Sequence, residues 1–384
     1  MTGDRFTVLF IIDSLEPAGA EVSTVAMLEP LARIGVTSRV VHFGRHTELA
    51  ERASTAAASV DSLGPGNRAK RLQLLRRTIA RHQPDLVHTT LFESDVAGRP
   101  AARLAGVPVV SSLVSTAYDP DVMARMLVSE RKLKLARALD RTTARLVRRF
   151  HAISDTAARH GIEHLGIDRS RIEVIPRGRS GEGLGRRTPD RRQAVRRAMG
   201  WGDDSFIVLA VARHEPPKAL DVMLDAMTDS AIPPSARLVV AGREGTATAR
   251  LEDQAHRLQI NDRVDWLGVR SDVADLMVGA DVLVLPSRWE GLGSTLIEAL
   301  ALELPIVASR LPAIEEITPN GEFALLVEPG DAGELAAALA QTRRDPSEAR
   351  TRAARGRIRF EERYEIGTVA EQMAAFYRRA LISR

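Results

Sequence analysis

An α/β architecture of two doubly wound, parallel-sheet domains is what the sequence predicts, and three observations lead there. Short apolar runs alternate with stretches of helical periodicity, the pattern of βαβ units. That rhythm stops near the middle of the chain and then restarts. At 384 residues the chain is too long for one hydrophobic core and suits two domains of ordinary size.

The elements follow in order. Residues 6–12 (Phe-Thr-Val-Leu-Phe-Ile-Ile) are too short for a signal-peptide core and read as the first strand. Residues 20–33 read as a helix with Val22, Val25, Ala26 and Leu28 on its apolar side. Residues 37–43 form the next strand, 68–82 a helix, and 86–88 a strand after Pro84. Further strands fall at 107–113, 151–154 and 172–175, the last ending at Pro176. The glycine- and arginine-rich stretch 177–202 has no strand pattern until Phe206 and marks the crossover. Beyond it, strands at 206–211, 237–241, 264–266, 282–285, 305–309 and 324–327 alternate with helices at 219–227, 248–258, 273–279, 294–303 and 332–342. Residues 369–381 have an amphipathic helical pattern carrying Met373, Phe376 and Tyr377. The expected division is 1–178, 179–364 and a terminal helix in 365–384. Two such domains in series leave a cleft at the carboxyl ends of their strands, where ligands bind in this architecture.

Composition narrows the chemistry. With 44% hydrophobic and 27% charged residues the chain is globular rather than disordered. It has no cysteine, which excludes disulfides, thiolate zinc sites, iron–sulfur clusters and cysteine nucleophiles. No run approaches the ~18 apolar residues that span a bilayer. The net charge of +4 is unevenly placed. Nine Lys or Arg against three acidic residues lie between Asp121 and Arg149, and a second cluster holds Arg186, Arg187, Arg191, Arg192, Arg196 and Arg197. Solvated helix faces are the simplest account. An anionic membrane surface or a phosphorylated substrate also fits. Nucleic acid fits poorly, because aromatics make up only 4% and no binding module accompanies the charge.

The chemistry-bearing residues gather at strand ends. After the strand at 282–285 come Glu290, Gly291 and Gly293, then a helix from Ser294 carrying Glu298. The glycines let backbone approach a ligand closely, and the N–H groups of Ser294, Thr295 and Leu296 would face a phosphate. Glu290 is placed to address a reacting group, while Glu298 reaches hydroxyls further along the same ligand. Arg213 follows the strand at 206–211 and Lys218 opens the next helix. Two cations there can neutralise a diphosphate, in the bound ligand and as charge develops on a leaving group. Gly19 permits a tight turn after the first strand, with the following helix N-terminus open to the same phosphates. The pattern is not Gly-x-Gly-x-x-Gly, which disfavours a hydride-transfer cofactor. His88 ends its strand and is placed to line the acceptor side of the cleft, His42 and His151 have weaker claims, and His214 reads as incidental. No Asp-x-Asp triplet directly ends a strand, so the phosphates fall to Arg213, Lys218 and helix N-termini, and neither a metal nor a bound cofactor is expected.

Taken together, Leu15-Glu-Pro-Ala-Gly-Ala-Glu21, Asp85-Leu-Val-His88, Arg213 with Lys218, and the Glu290…Glu298 element resemble retaining glycosyltransferase family 4, of the two-domain GT-B fold. The match covers essentially the whole chain. The resemblance implies that Arg213 and Lys218 bind the diphosphate of a nucleotide sugar, that Glu290 contacts the sugar near the reacting centre, and that Glu298 holds the ribose. It implies transfer to a hydroxyl acceptor (a glycan, a lipid-linked glycan or a small molecule) with retention at the anomeric carbon and no covalent nucleophile. It further implies that the final helix crosses back onto the first domain. Such an enzyme is expected in the cytoplasm, with peripheral contact at the inner membrane face compatible with the basic stretch 125–149.

The chain departs from the family pattern in three places. The segment Leu113-Val-Ser-Thr-Ala-Tyr118 lacks the histidine that many members use on the donor sugar. Pro176-Arg-Gly-Arg-Ser180 replaces the usual Pro-Asn-Gly-Val/Ile-Asp, and Ala18 stands where glycine is usual. The alternatives are a catalytically silent nucleotide-binding scaffold of the same fold, motivated by the missing histidine, and a sugar-nucleotide epimerase. The sequence leaves oligomeric state, sugar and acceptor open.

Overall fold

Two fully parallel sheets organise the chain. The computed structural model describes residues 5–16, 18–44, 48–64, 66–114, 118 and 129–382. The chain divides into one unit of residues 1–180 with 364–384 and a second of residues 181–363.

The first unit holds β1 (Phe6–Ile12), β2 (Val36–His42), β3 (Ser59–Ser62), β4 (Leu86–Thr90), β5 (Val109–Leu113), β6 (Arg149–Ala152) and β7 (Ile172–Val174), in the order β3-β2-β1-β4-β5-β6-β7. β1 pairs with β2 on one side and β4 on the other. It is covered on both faces, which explains why its sequence is apolar without alternation. The terminal helix Ile366–Ile382 joins this unit's core. Val369, Met373, Phe376 and Tyr377 pack in one cluster with Phe6, Phe10 and Leu28. Their spacing keeps them on one helical stripe.

β3 escaped the sequence reading because Ser-Val-Asp-Ser has no apolar pattern; it is an edge strand, drawn into the sheet by pairing with β2. β6 begins at Arg149 rather than His151, because pairing with β5 starts at Val110–Arg149. Helices Glu48–Ala56, Phe92–Leu104, Glu130–Ala144 and Asp155–Leu165 fill the connections left open above.

The second unit holds β8 (Ile207–Val211), β9 (Arg237–Ala241), β10 (Val264–Gly268), β11 (Val282–Leu285), β12 (Ile306–Ser309) and β13 (Leu325–Val327), in the order β10-β9-β8-β11-β12-β13. Its core is aliphatic, built from residues such as Val208, Leu220, Met223, Leu238, Val284 and Leu339. Part of the second arginine cluster is not a solvated face. Arg187 Nη2 and Arg192 Nη1 donate to the Ala280 carbonyl at 2.8 and 2.6 Å, and Arg196 Nη1 to Gly279 at 3.2 Å. All three converge just past helix Val273–Gly279, where carbonyls lack intrahelical partners and the helix dipole is negative. Arg192 also pairs with Asp281 at 2.6 Å, and Asp281 in turn accepts the Ile207 N–H at 2.7 Å. Those charges secure the root of β8.

Candidate functional site

In each sheet the strand order reverses once, between β1 and β4 and between β8 and β11. Loops leaving such a point diverge to opposite faces and open a crevice at the carboxyl edge. In the second unit β8 and β11 are hydrogen-bonded neighbours. Their loops, one carrying Arg213 and Lys218 and the other Glu290, therefore emerge side by side.

The structure brings two of the expected residues into direct contact. Lys218 Nζ donates to Glu290 Oε1 at 2.5 Å, and Ser287 Oγ donates to the same oxygen at 2.8 Å. The pair is partly buried, with side-chain exposures of 22% and 10%. Lys218 closes the short 3-10 turn Pro216–Lys218, and the next residue, Ala219, takes a left-handed conformation with φ of 50°. A non-glycine residue held there stores strain, a recurrent feature of functional loops. Arg213 sits exposed two residues beyond β8.

Gly293 precedes helix Ser294–Ala301 with φ of 79°, and a Cβ there would lie 2.7 Å from Ile314 Cδ1. The left-handed backbone favours glycine, since any side chain there would be strained. One expectation is corrected at this helix. The Leu296 N–H already donates to the Gly293 carbonyl at 3.0 Å, because the first turn is tightened, so it does not face outward. Ser294 and Thr295 remain as the outward donors of this terminus. Gly291 is half-buried within the loop, and Glu298 is half-buried in the helix's second turn. His214 is a packing residue: it is buried, its ring meets Trp266 edge-on at 5.0 Å, and Nδ1 lies 3.1 Å from Thr248 Oγ1. Sequence reasoning passed over Ser287, whose hydroxyl is too common a group to stand out.

The first unit uses its switch point differently. Asp13, just after β1, accepts the Ser94 N–H at 2.7 Å and the Ser94 hydroxyl at 2.6 Å, and the Glu93 N–H at 3.2 Å. It thereby satisfies the start of helix Phe92–Leu104. Gly19 is the first residue of helix Gly19–Arg33, and a Cβ there would meet Arg177 Nη1 at 2.9 Å. The histidines of β4 and β6 belong to a buried relay whose proton positions are forced. His151 Nε2 donates to the Ile175 carbonyl at 2.8 Å, so its Nδ1 accepts from the Ser112 hydroxyl at 2.8 Å. Ser112 Oγ then accepts from His88 Nε2 at 2.7 Å, and His88 Nδ1 accepts from Tyr377 OH at 2.8 Å. Both rings are neutral. Burial, with the neighbouring His151 adding to it, pushes His88 down to about 3, and burial pushes His151 down to about 4.

Of the 113–118 segment, residues 115–117 lie outside the described residues. His160 and His164, four apart on helix Asp155–Leu165, have ring centroids 4.4 Å apart, and His160 Nε2 accepts the Tyr118 N–H at 3.1 Å. Among the described residues, no three His, Asp or Glu side chains gather as a metal-binding group.

Comparison with known proteins identifies the family and the fold. A family model described as Glycosyltransferase Family 4 matches residues 17–180, and one described as Glycosyl transferases group 1 matches residues 191–359. A D-inositol 3-phosphate glycosyltransferase of Geodermatophilus obscurus is 30% identical over 79% of this chain and 72% of its own length. A second protein so named, from Catenulispora acidiphila, is 30% identical over 69% of this chain, which spans 64% of that relative. Anabaena HepE, solved in complex with UDP and glucose, superposes with a TM-score of 0.85 at 22% identity over 97% of this chain and 99% of its own. With both sheets of that fold and both family matches in place, the chain belongs to glycosyltransferase family 4 and has the GT-B fold.

Proposed function

We propose that this glycosyltransferase binds a nucleoside diphosphate sugar at the carboxyl edge of its second sheet and transfers the sugar to a hydroxyl acceptor with retention and without a metal. The observation that carries the reading is the Lys218–Glu290–Ser287 cluster across β8 and β11. Before donor binds, Lys218 and Glu290 neutralise each other. A diphosphate arriving beside Lys218 and Arg213 offers more negative charge than one carboxylate and draws the lysine toward it. Glu290 is then released toward the sugar hydroxyls, still held through Ser287. As the glycosidic bond breaks, charge grows on the diphosphate, and the two cations stabilise it more than they stabilise bound donor. That division supplies the neutralisation a divalent cation would otherwise give. The amides of Ser294 and Thr295 add donors of the kind that hold phosphate at a helix start. Glu298 is assigned to the ribose.

HepE's bound UDP makes UDP-sugars the first donors to test. The purified protein is expected to hydrolyse or transfer from at least one nucleotide sugar, equally well with and without EDTA, giving a product of unchanged anomeric configuration by NMR. Nucleotide binding without turnover across the panel would favour the silent scaffold. The acceptor is assigned only as a hydroxyl compound, with inositol 3-phosphate on the panel because of the relatives' names.

Contact with an anionic membrane is the accompanying proposal. Helix Glu130–Ala144 exposes Arg131, Lys132, Lys134, Arg137 and Arg141, with Leu135 70% exposed among them. Each such cation contributes about 1 kcal/mol near an anionic surface. Among the described residues no helix is long and apolar enough to cross a membrane. Co-sedimentation with phosphatidylglycerol vesicles but not phosphatidylcholine vesicles, lost in high salt, is the expected result.

A further inference from the structure

We infer that Arg288 is a positioning residue: it straps the Glu290 loop to the Lys218 turn and sets the spacing at which those two side chains meet the donor. The inference rests on the donor-site reading above. Arg288 Nη1 and Nη2 donate to Asp221 Oδ1 and Oδ2 at 2.8 and 2.7 Å, a two-pronged pair of fixed geometry. Nη1 also donates to the Pro216 carbonyl at 3.1 Å, and the Arg288 backbone N–H donates to the Pro217 carbonyl at 2.8 Å. Every one of these bonds runs from the β11 loop to the segment that follows β8. Asp221 lies three residues past Lys218, in the first turn of helix Leu220–Ala226, and Arg288 lies two residues before Glu290. Burial works to raise the Asp221 carboxyl, and the bonds from Arg288 outweigh it, holding the group below its ordinary value.

The physical need for a strap comes from the donor itself. The Lys218–Glu290 bond ties the same two loops, yet it is the bond a diphosphate must loosen. Once it gives way, Arg288 and Asp221 still hold the loops in register. Arginine suits the task because its planar fork engages a carboxylate twice while one nitrogen also reaches a carbonyl; lysine offers a single flexible point of attachment. Neither Arg288 nor Asp221 is assigned a contact with the donor, so the role acts through Glu290 and Lys218.

The test compares the parent protein with Arg288→Gln, Asp221→Asn, the double variant and Arg288→Lys. Each is assayed for UDP-glucose turnover beside the other nucleotide sugars, for UDP affinity by calorimetry, and for melting temperature. Misplacing reacting groups by about 1 Å costs up to ~100-fold in rate. A fall in kcat of about 10- to 100-fold is therefore expected in both single charge-removing variants, with UDP affinity and donor KM within about threefold of the parent. The double variant should be no slower than either single one, and Arg288→Lys should recover part of the loss. A folded Arg288→Gln with parental kcat would overturn the inference, as would losses that multiply in the double variant or a kcat loss matched by lost UDP affinity. If Arg288→Gln fails to fold, Asp221→Asn decides the question from the other side of the pair. A parent inactive on every nucleotide sugar would fail the donor-site reading, and this inference with it. An active parent with unaffected variants would fail this inference alone.

Discussion

The two units repeat one strand order, with β7 added to the first, but their switch points are built for different ends. At β8 and β11 the polar groups are charged, partly exposed and paired across two loops, as in Lys218 with Glu290. Beside the first unit's switch point, the relay across β4, β5 and β6 is buried, neutral and hydrogen-bonded throughout, running from Tyr377 through His88, Ser112 and His151 to Ile175. A charged pair at a partly open edge exchanges partners readily when a ligand arrives. A closed relay of neutral groups does not, because every broken bond leaves a buried group unmatched. The same architecture thus carries the proposed donor edge in one unit and a structural lock in the other, with the lock fastening the terminal helix to the first sheet.

That contrast can be broken in several ways. Lys218→Ala should cut transfer at least ~100-fold by removing charge stabilisation in the transition state; a rate near the parent's would remove the lysine from the donor edge. His88→Ala should instead destabilise the fold by about 2–4 kcal/mol in urea titration, through a cavity and two orphaned hydroxyls. Turnover by the folded fraction should persist, and its loss without any loss of stability would turn the lock into a second reactive site.

Acid should act on the first unit through the same relay. The folded values of about 3 and about 4 lie below the ordinary histidine value of 6.5. Between pH 6.5 and 4 the unfolded chain therefore takes up protons that the folded one refuses. The stability from each neutral ring is complete above pH 6.5 and declines by about 1.4 kcal/mol per pH unit as the pH falls. Replacing both His88 and His151 should flatten that part of the curve; an unchanged slope would show that the rings are not its source. The smallest effect is expected at Glu298→Ala, which should raise donor KM about tenfold with kcat little changed, as for a contact made equally in ground and transition states. An unaltered KM would take Glu298 out of the ribose site.

Much of this was legible in the residues. β1 and β11 announce themselves as short apolar runs, and Gly293 marks a turn because glycine takes its left-handed conformation without strain. Edge strand β3 was illegible because its four residues carry no periodic signal and gain their place by pairing alone. Leu296 was misread as an outward donor because a helix start looks alike in sequence whether or not its first turn tightens. Arg187, Arg192 and Arg196 looked like solvent-facing charge because the Gly279 and Ala280 carbonyls on which they converge lie more than eighty residues away.

The residue string alone determined the two-domain parallel α/β class and the family, and it supplied the glutamates, lysine and glycines proposed for the donor loops, since each of these is a local pattern. Tertiary structure decided which of those groups meet. It set Glu290 on Lys218, tied Arg288 to Asp221 and closed Tyr377 onto His88 from 289 residues along the chain. Periodicity and turn chemistry act over a few neighbours, whereas hydrogen bonds and ion pairs between distant segments exist only after the sheets have brought their strands side by side.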